Sequence, residues 1–147
     1  MDNPICRLTS PATDVVIRCT PVAEILYWGP HLPAFNAEDI ATLSRPVPNG
    51  RLDVDVPLTL AAENGRGLFG SPGVEGHRDG LDWSPVFTTC RVEQQDNGVV
   101  ITGEDQQAAL RFTSEVHLDA QSGVLRVRNT LTNLHTQPYQ DRKSTRL

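Results

Sequence analysis

The sequence predicts a mainly β domain, an antiparallel β-sandwich with one short helix. Three observations carry this. Between residues 86 and 133 apolar and polar side chains alternate in segment after segment, the period of two that turns one strand face into a core. Turn residues divide these segments at short intervals, as in an antiparallel meander. Helical spacing is visible in one stretch alone, from Asn36 to Leu43.

In chain order, Asp14 to Cys19 reads as a strand with Val15, Ile17 and Cys19 on one face and Val16 and Arg18 on the other. A second short strand, Glu24 to Trp28, stops at Gly29-Pro30. Its Tyr27 and Trp28 offer aromatic faces that suit packing more readily than a sugar. Asn36 is placed to cap a short helix, with Ile40 and Leu43 as its apolar stripe. Arg45 to Gly50 holds two prolines and an Asn-Gly, a turn-rich link. Arg51 to Val56 alternates strictly, so Arg51, Asp53 and Asp55 share one face. Further on, Val86 to Gln94 alternates with Val86, Cys90 and Val92 to one side. Asp96-Asn97-Gly98 marks a hairpin, because Asn-Gly accepts the positive φ angles of a tight turn. Val99 to Thr102 returns, and Glu104 to Gln107 turns again. Leu110 to Leu118 has apolar even and polar odd positions, Asp119 to Gly123 turns, and Val124 to Asn133 closes the series with Leu125, Val127 and Leu131 inward.

At 147 residues the chain is one domain with enough length for a real core. A net charge of −5 supplies no basic field, which argues against nucleic acid or an anionic membrane as partner. No apolar run approaches the roughly 20 residues of a membrane span, and MDNPICRLTS lacks the basic and apolar regions of a signal peptide. Cys6, Cys19 and Cys90 are odd in number and far apart in the sequence, so they fit neither a disulfide framework nor a metal site. They read as reduced, buried thiols of a cytoplasmic protein.

The most unusual stretch runs from Gly65 to Pro85. Six of the eleven glycines lie between Gly65 and Gly80, a density that signals tight bends or a surface another backbone approaches closely. Leu68, Phe69, Val74 and Trp83 read as anchors that hold this loop down. Gly65, Gly67 and Gly70 form a literal G-x-G-x-x-G, but Ser71-Pro72-Gly73 follows at once. No helix can open there to receive a pyrophosphate, which excludes a dinucleotide site.

Two groups of residues carry possible chemistry. Glu115 and His117 lie two apart on one strand and share a face, a possible acid and base couple of the kind a sugar epimerase needs. The plainer reading is a solvated strand face. His77-Arg78-Asp79 sits within the glycine loop. The rigid donor fork of Arg and the acceptor of Asp suit sugar hydroxyls or a carboxylate, and equally suit a clamp that fixes the loop's shape. No metal-ligand spacing surrounds His77, and neither a nucleophile elbow nor a Walker loop is present.

Four blocks appear together and in order: YWGP at Tyr27–Pro30, RPVPNGRLDVDVPLTL at Arg45–Leu60, GRGLFGSPGVEGHRDGLDWSPVF at Gly65–Phe87 and GVLRVRNTLTN at Gly123–Asn133. The set resembles the N-terminal β-sandwich domain of bacterial family 36 glycoside hydrolases, the α-galactosidases. The likeness runs from about Ile17 to Tyr139. It implies a galactose-mutarotase-like supersandwich that precedes a (β/α)-barrel and needs no cofactor. It also implies that both catalytic aspartates, nucleophile and general acid/base, belong to that barrel and act with retention on terminal α-galactosides. Such a pair stands roughly 5 Å apart, and none of this chain's own carboxylates is assigned to it, so the chain alone is expected to be inactive. The resemblance further implies a homo-oligomer whose N-terminal loops approach a neighbouring subunit's active-site mouth. Arg51, Asp53, His77, Arg78 and Asp79 are the positions it offers for substrate contact.

Residues 1–140 are thus expected to form the N-terminal domain. Asp141 to Leu147 is polar and unlike the family's continuation, and reads as a tail foreign to the fold or the product of a truncated frame. Two other functions stay open: a stand-alone carbohydrate-binding module using the glycine loop and Trp83, and a mutarotase-like enzyme using Glu115 and His117.

Overall fold

The computed structural model describes residues 5–34, 36, 39–40 and 56–141. Among these residues nine strands run in chain order: β1 (Ile5–Thr9), β2 (Thr13–Arg18), β3 (Glu24–Pro30), β4 (Gly76–His77), β5 (Thr88–Gln95), β6 (Gly98–Asp105), β7 (Leu110–Leu118), β8 (Leu125–Asn133) and β9 (Gln140–Asp141). They form a three-stranded sheet β1-β2-β3, a four-stranded sheet β5-β6-β7-β8 and the small pair β4-β9, with every strand pair antiparallel. Among the described residues no helix reaches seven residues. The protein is mainly β, as its alternation predicts. The expected helix from Asn36 and the strand from Arg51 fall largely or wholly outside the described residues. So do residues 142–147 of the polar tail, whose first residue, Asp141, pairs with Gly76.

β7 follows its sequence pattern closely. Leu110, Phe112, Ser114, Val116 and Leu118 are buried, while Glu115 and His117 are exposed. Val116 and Leu118 join Val99 and Ile101 of β6 against Cys6, Leu8, Val15, Ile17 and Cys19 of the other sheet, so both larger sheets contribute to one cluster. Leu110 and Phe112 continue the same face into a second cluster with Ala61, Val74, Phe87 and Ala108. There the rings of Phe87 and Phe112 lie tilted with centroids 5.2 Å apart, a favourable aromatic arrangement. Each large side chain so buried contributes about 1.5–3 kcal/mol relative to exposure.

Strand β1 is absent from the sequence reading. Its five residues hold only two apolar positions on the core face, Cys6 and Leu8, too short a run to stand out. β8 differs in another way. Leu125 and Leu131 are half-buried, but Val127, expected inward, is exposed. As the outer strand of its sheet it lies beyond the cluster beneath β6 and β7. Cys90, expected buried, is also exposed. The β5–β6 register shifts between Thr89 and Arg91, so Cys90 is the extra residue of a bulge, the device that re-aims a side chain. The Asn-Gly hairpin is present as read, with Asn97 at φ 49°.

The other face of the three-stranded sheet carries a buried ion. Asp14 has no exposed surface. Its carboxylate accepts from Arg7 Nη2 at 2.9 Å, the Thr9 hydroxyl at 2.5 Å and the Leu32 backbone N–H at 2.7 Å. Burial pushes its pKa up, but the bonds from Thr9, Leu32 and Arg7, with the Arg7 charge, outweigh that and hold it at about 2. A carboxyl held below its ordinary value stabilises the fold above that value, and the contribution fades as pH falls through the folded one. Asp14→Asn is therefore expected to lower stability by about 2 kcal/mol at neutral pH. The gap between variant and wild type should close as pH drops from the ordinary 3.8 towards 2, as followed by denaturant melts along an acid series.

Candidate functional site

The glycine loop folds as a strap across the end of the four-stranded sheet. It opens with a 3-10 turn, Asn64–Arg66, and passes through β4 to a tight Arg78–Leu81 turn closed by backbone bonds of 2.9 Å in both directions. Gly67 and Gly80 take positive φ angles, while others serve close approach. A Cβ on Gly73 would stand 1.9 Å from the Ala61 carbonyl oxygen, and one on Gly76 would stand 2.5 Å from the Gln140 carbonyl oxygen.

The expected anchors hold in part. Val74 is buried, but Phe69 is 88% exposed and Trp83 54%. Two buried ions do the holding instead. Glu63 accepts the Phe87 backbone N–H at 2.8 Å and pairs with Arg66, which in turn donates to the Phe87 carbonyl at 2.9 Å. At the other end Arg78 is buried. Its Nη1 donates to Asp82 at 3.0 Å and to the Ala108 carbonyl at 2.8 Å, and its Nη2 donates to Asn133 at 2.9 Å. The guanidinium also lies 5.7 Å from the Tyr139 ring centroid, within cation–π range. Asp105 adds a third tie, accepting from Val86 N–H at 2.7 Å and Ala108 N–H at 2.9 Å.

The structure separates the His-Arg-Asp triplet. His77 is half-buried, with its ring 5.3 Å from that of Trp83 and Nδ1 accepting the Gly80 N–H at 3.3 Å. Arg78 points inward, and its ionic partner is Asp82 rather than the Asp79 read as its companion. Asp79 is exposed in the turn at φ 49°. Arg51 and Asp53 lie outside the described residues. Glu63, Asp82, Asp105 and Asn133 were not legible as loop-holding residues, because isolated polar side chains in loops carry no periodic signal.

Beside the strap, Asp82, Trp83, Ser84, Val86, Asp105 and Gln107 line an open cleft of about 460 Å³. It offers one exposed aromatic face among carboxylates and an amide. Trp83 Nε1 donates to the Gly80 carbonyl, which fixes the ring over the turn. Glu115 and His117 lie away from this strap, on the exposed face of β7 opposite Arg128 and Arg126 of β8. Among the described residues no group of three or more His, Cys, Asp or Glu side chains comes together as a metal site, and no helix is long and apolar enough to cross a membrane.

Residues 22–144 match the model of the glycosyl hydrolase family 36 N-terminal domain. The chain belongs to that family. It is 53% identical over 140 residues to an alpha-galactosidase from Escherichia coli, an alignment that covers 95% of this chain and 20% of that protein. The chain thus spans about a fifth of the relative's length. No solved structure matches it.

Within this family 36 domain, Arg78 makes a distinct demand on stability. Removing it leaves Asp82 and the Ala108 carbonyl without their buried partner, at a cost of about 3 kcal/mol. Thermal melts of Arg78→Ala and Asp82→Ala should both fall, the first more. Asp79→Asn, at a turn position that Asn tolerates, should stay within about 0.5 kcal/mol of wild type.

Proposed function

We propose that this chain is the N-terminal portion of an α-galactosidase that hydrolyses terminal α-galactosides with retention of configuration. The observation that carries the reading is the 53% identity to the Escherichia coli alpha-galactosidase across 95% of this chain. The proposal includes the galactose-mutarotase-like supersandwich, a catalytic barrel that follows it, and both catalytic aspartates on that barrel. The domain supports the barrel, takes part in homo-oligomerisation in the cytoplasm, and lends a loop to the active-site mouth. An odd number of cysteines that fits no disulfide framework favours that compartment.

His77 and Asp79 of the strap, together with Arg51 and Asp53, are the positions to carry substrate contact. Arg78 acts through them by holding the turn. Exposed Trp28, Phe69, Leu81, Val124, Val127 and Leu134 supply apolar surface for the barrel and for neighbouring subunits, since such surface drives association.

A second reading, a stand-alone carbohydrate-binding module, is favoured by one observation, the exposed Trp83 beside Asp82 and Gln107. A mutarotase-like role for Glu115 and His117 gains nothing comparable. Both lie exposed on a sheet face whose neighbours are arginines, an arrangement that does not enclose a sugar away from water.

A chimaera tests the main reading. The present chain replaces the corresponding segment of the Escherichia coli relative, and cleavage of an aryl α-galactoside is followed. Activity within about tenfold of the parent is the expected result, a transition-state loss of no more than about 1.4 kcal/mol. A folded but inactive chimaera overturns it. The purified chain alone should show no turnover at any pH, because it holds no assigned carboxylate pair, and should associate in sedimentation. Robust turnover by the chain alone contradicts the assignment of chemistry to the barrel. Millimolar binding of galactose that Trp83→Ala abolishes, without such complementation, favours the binding module.

A further inference from the structure

We propose that Cys6 and Cys19 form a redox-sensitive dithiol, in which a hydroperoxide oxidises Cys6 and Cys19 then closes a disulfide onto it. The two sulfurs lie 3.3 Å apart. Cys6 on β1 stands opposite Ile17 on β2, and Cys19 follows two residues later, so all three side chains share the core face of the sheet. A disulfide needs an S–S distance of about 2.05 Å, so closing the bond brings together two sulfurs that already touch.

The pair is asymmetric. Cys19 has no exposed surface, whereas Cys6 retains a little and borders a cleft of about 300 Å³ shared with Arg7, Gln94, Gln95 and Asn97. A small polar oxidant therefore meets the Cys6 sulfur first. Cys19 donates its S–H to Cys6, and the Gln94 amide donates to the same sulfur at 3.5 Å. The Cys19 hydrogen bond, aided by Gln94 against the effect of burial, lowers the Cys6 pKa to about 7. The same bond to Cys6, followed by burial, raises that of Cys19. The sulfur at the cleft is thus the one that carries thiolate, the form that attacks peroxides.

The chemistry balances in two steps. The Cys6 thiolate attacks one peroxide oxygen, an S–O bond forms and the O–O bond breaks. Cys6 becomes a sulfenic acid, and the departing oxygen leaves as water after protonation. The Cys19 sulfur then attacks the Cys6 sulfur, its proton leaves with the sulfenic hydroxyl as a second water, and the S–S bond forms. The sum is two thiols and one hydrogen peroxide giving one disulfide and two waters. The product ties β1 to the residue after β2, across 13 positions of chain. Its burial among apolar side chains leaves re-reduction dependent on a small thiol entering the same cleft.

The test uses the full chain carrying Cys90→Ser, a change at an exposed bulge, with its fold checked by far-ultraviolet circular dichroism. Folded protein is treated with hydrogen peroxide, free thiols are alkylated in denaturant, and intact mass and peptides are measured. The expected result is loss of two hydrogen atoms, no alkylation, and one cross-linked peptide pair that a reductant separates into the Cys6 and Cys19 peptides. Adding Cys19→Ala should divert Cys6 to a sulfenic acid captured by a 1,3-dicarbonyl probe. Should that variant fail to fold, the peptide map of the Cys90→Ser chain decides alone. Two alkylatable thiols after oxidation, cross-links between chains only, or Cys6 sulfinic acid beside a free Cys19 thiol would each overturn the proposal.

Discussion

The structure depends on burying one face of β7. Its even-numbered side chains run from the cluster shared by the two larger sheets into the cluster beneath the glycine strap, so one strand supplies both halves of the core. A shift of its register by one residue would turn Leu110, Phe112, Val116 and Leu118 to solvent and bring Glu115 and His117 inward. That penalty fixes the pairing with β6 and β8. It also explains why Glu115 and His117 are exposed: the alternation that builds the core leaves them the outer face. Their proximity is a product of strand geometry and needs no chemistry to account for it.

The strap shows a different logic. Its glycines permit close backbone contact, but the energy that holds it comes from Glu63, Arg78 and Asp105, each bonded to backbone groups of neighbouring segments. A charge withdrawn from water, as Glu63 and Arg78 are fully and Asp105 in part, is costly unless it is paired and hydrogen-bonded. Each of these therefore specifies one arrangement of loop against sheet. Phe69 and Trp83 stay largely exposed, so the strap is held without burying its largest side chains.

Much of the fold was legible because alternation and turn chemistry are local. β7 appears in the structure with the bounds its pattern marks, and the Asn97-Gly98 hairpin closes where its dipeptide requires. What escaped the sequence depends on partners far along the chain. β1 is too short to announce itself. The bulge at Cys90 exists only in the pairing with β6, and Val127 is exposed because of where β8 falls in its sheet. Within the glycine loop, the roles of the individual residues were not legible. Arg78 and Asp79 are adjacent in sequence, yet one faces Ala108 and Asn133 and the other faces water. The partner of Arg78 is Asp82, across a turn whose closure no local pattern announces. Family likeness located the domain where periodicity alone stopped at a β fold.

The pairing of β4 with β9 imposes an order of events on the growing polypeptide. The strap spans residues 65–85, yet it is held by Asp105, Ala108, Asn133, Tyr139 and Gln140. A ribosome adds about 5–20 residues each second, so several seconds separate synthesis of the strap from that of its last tether. During that interval the N-terminal hairpin has its own residues at hand, while the glycine segment has only its local ties to Ala62, Glu63 and Phe87. The strap is thus the late-closing piece of the domain. It takes its full shape only once Asn133, Tyr139 and Gln140 have been made and have joined it.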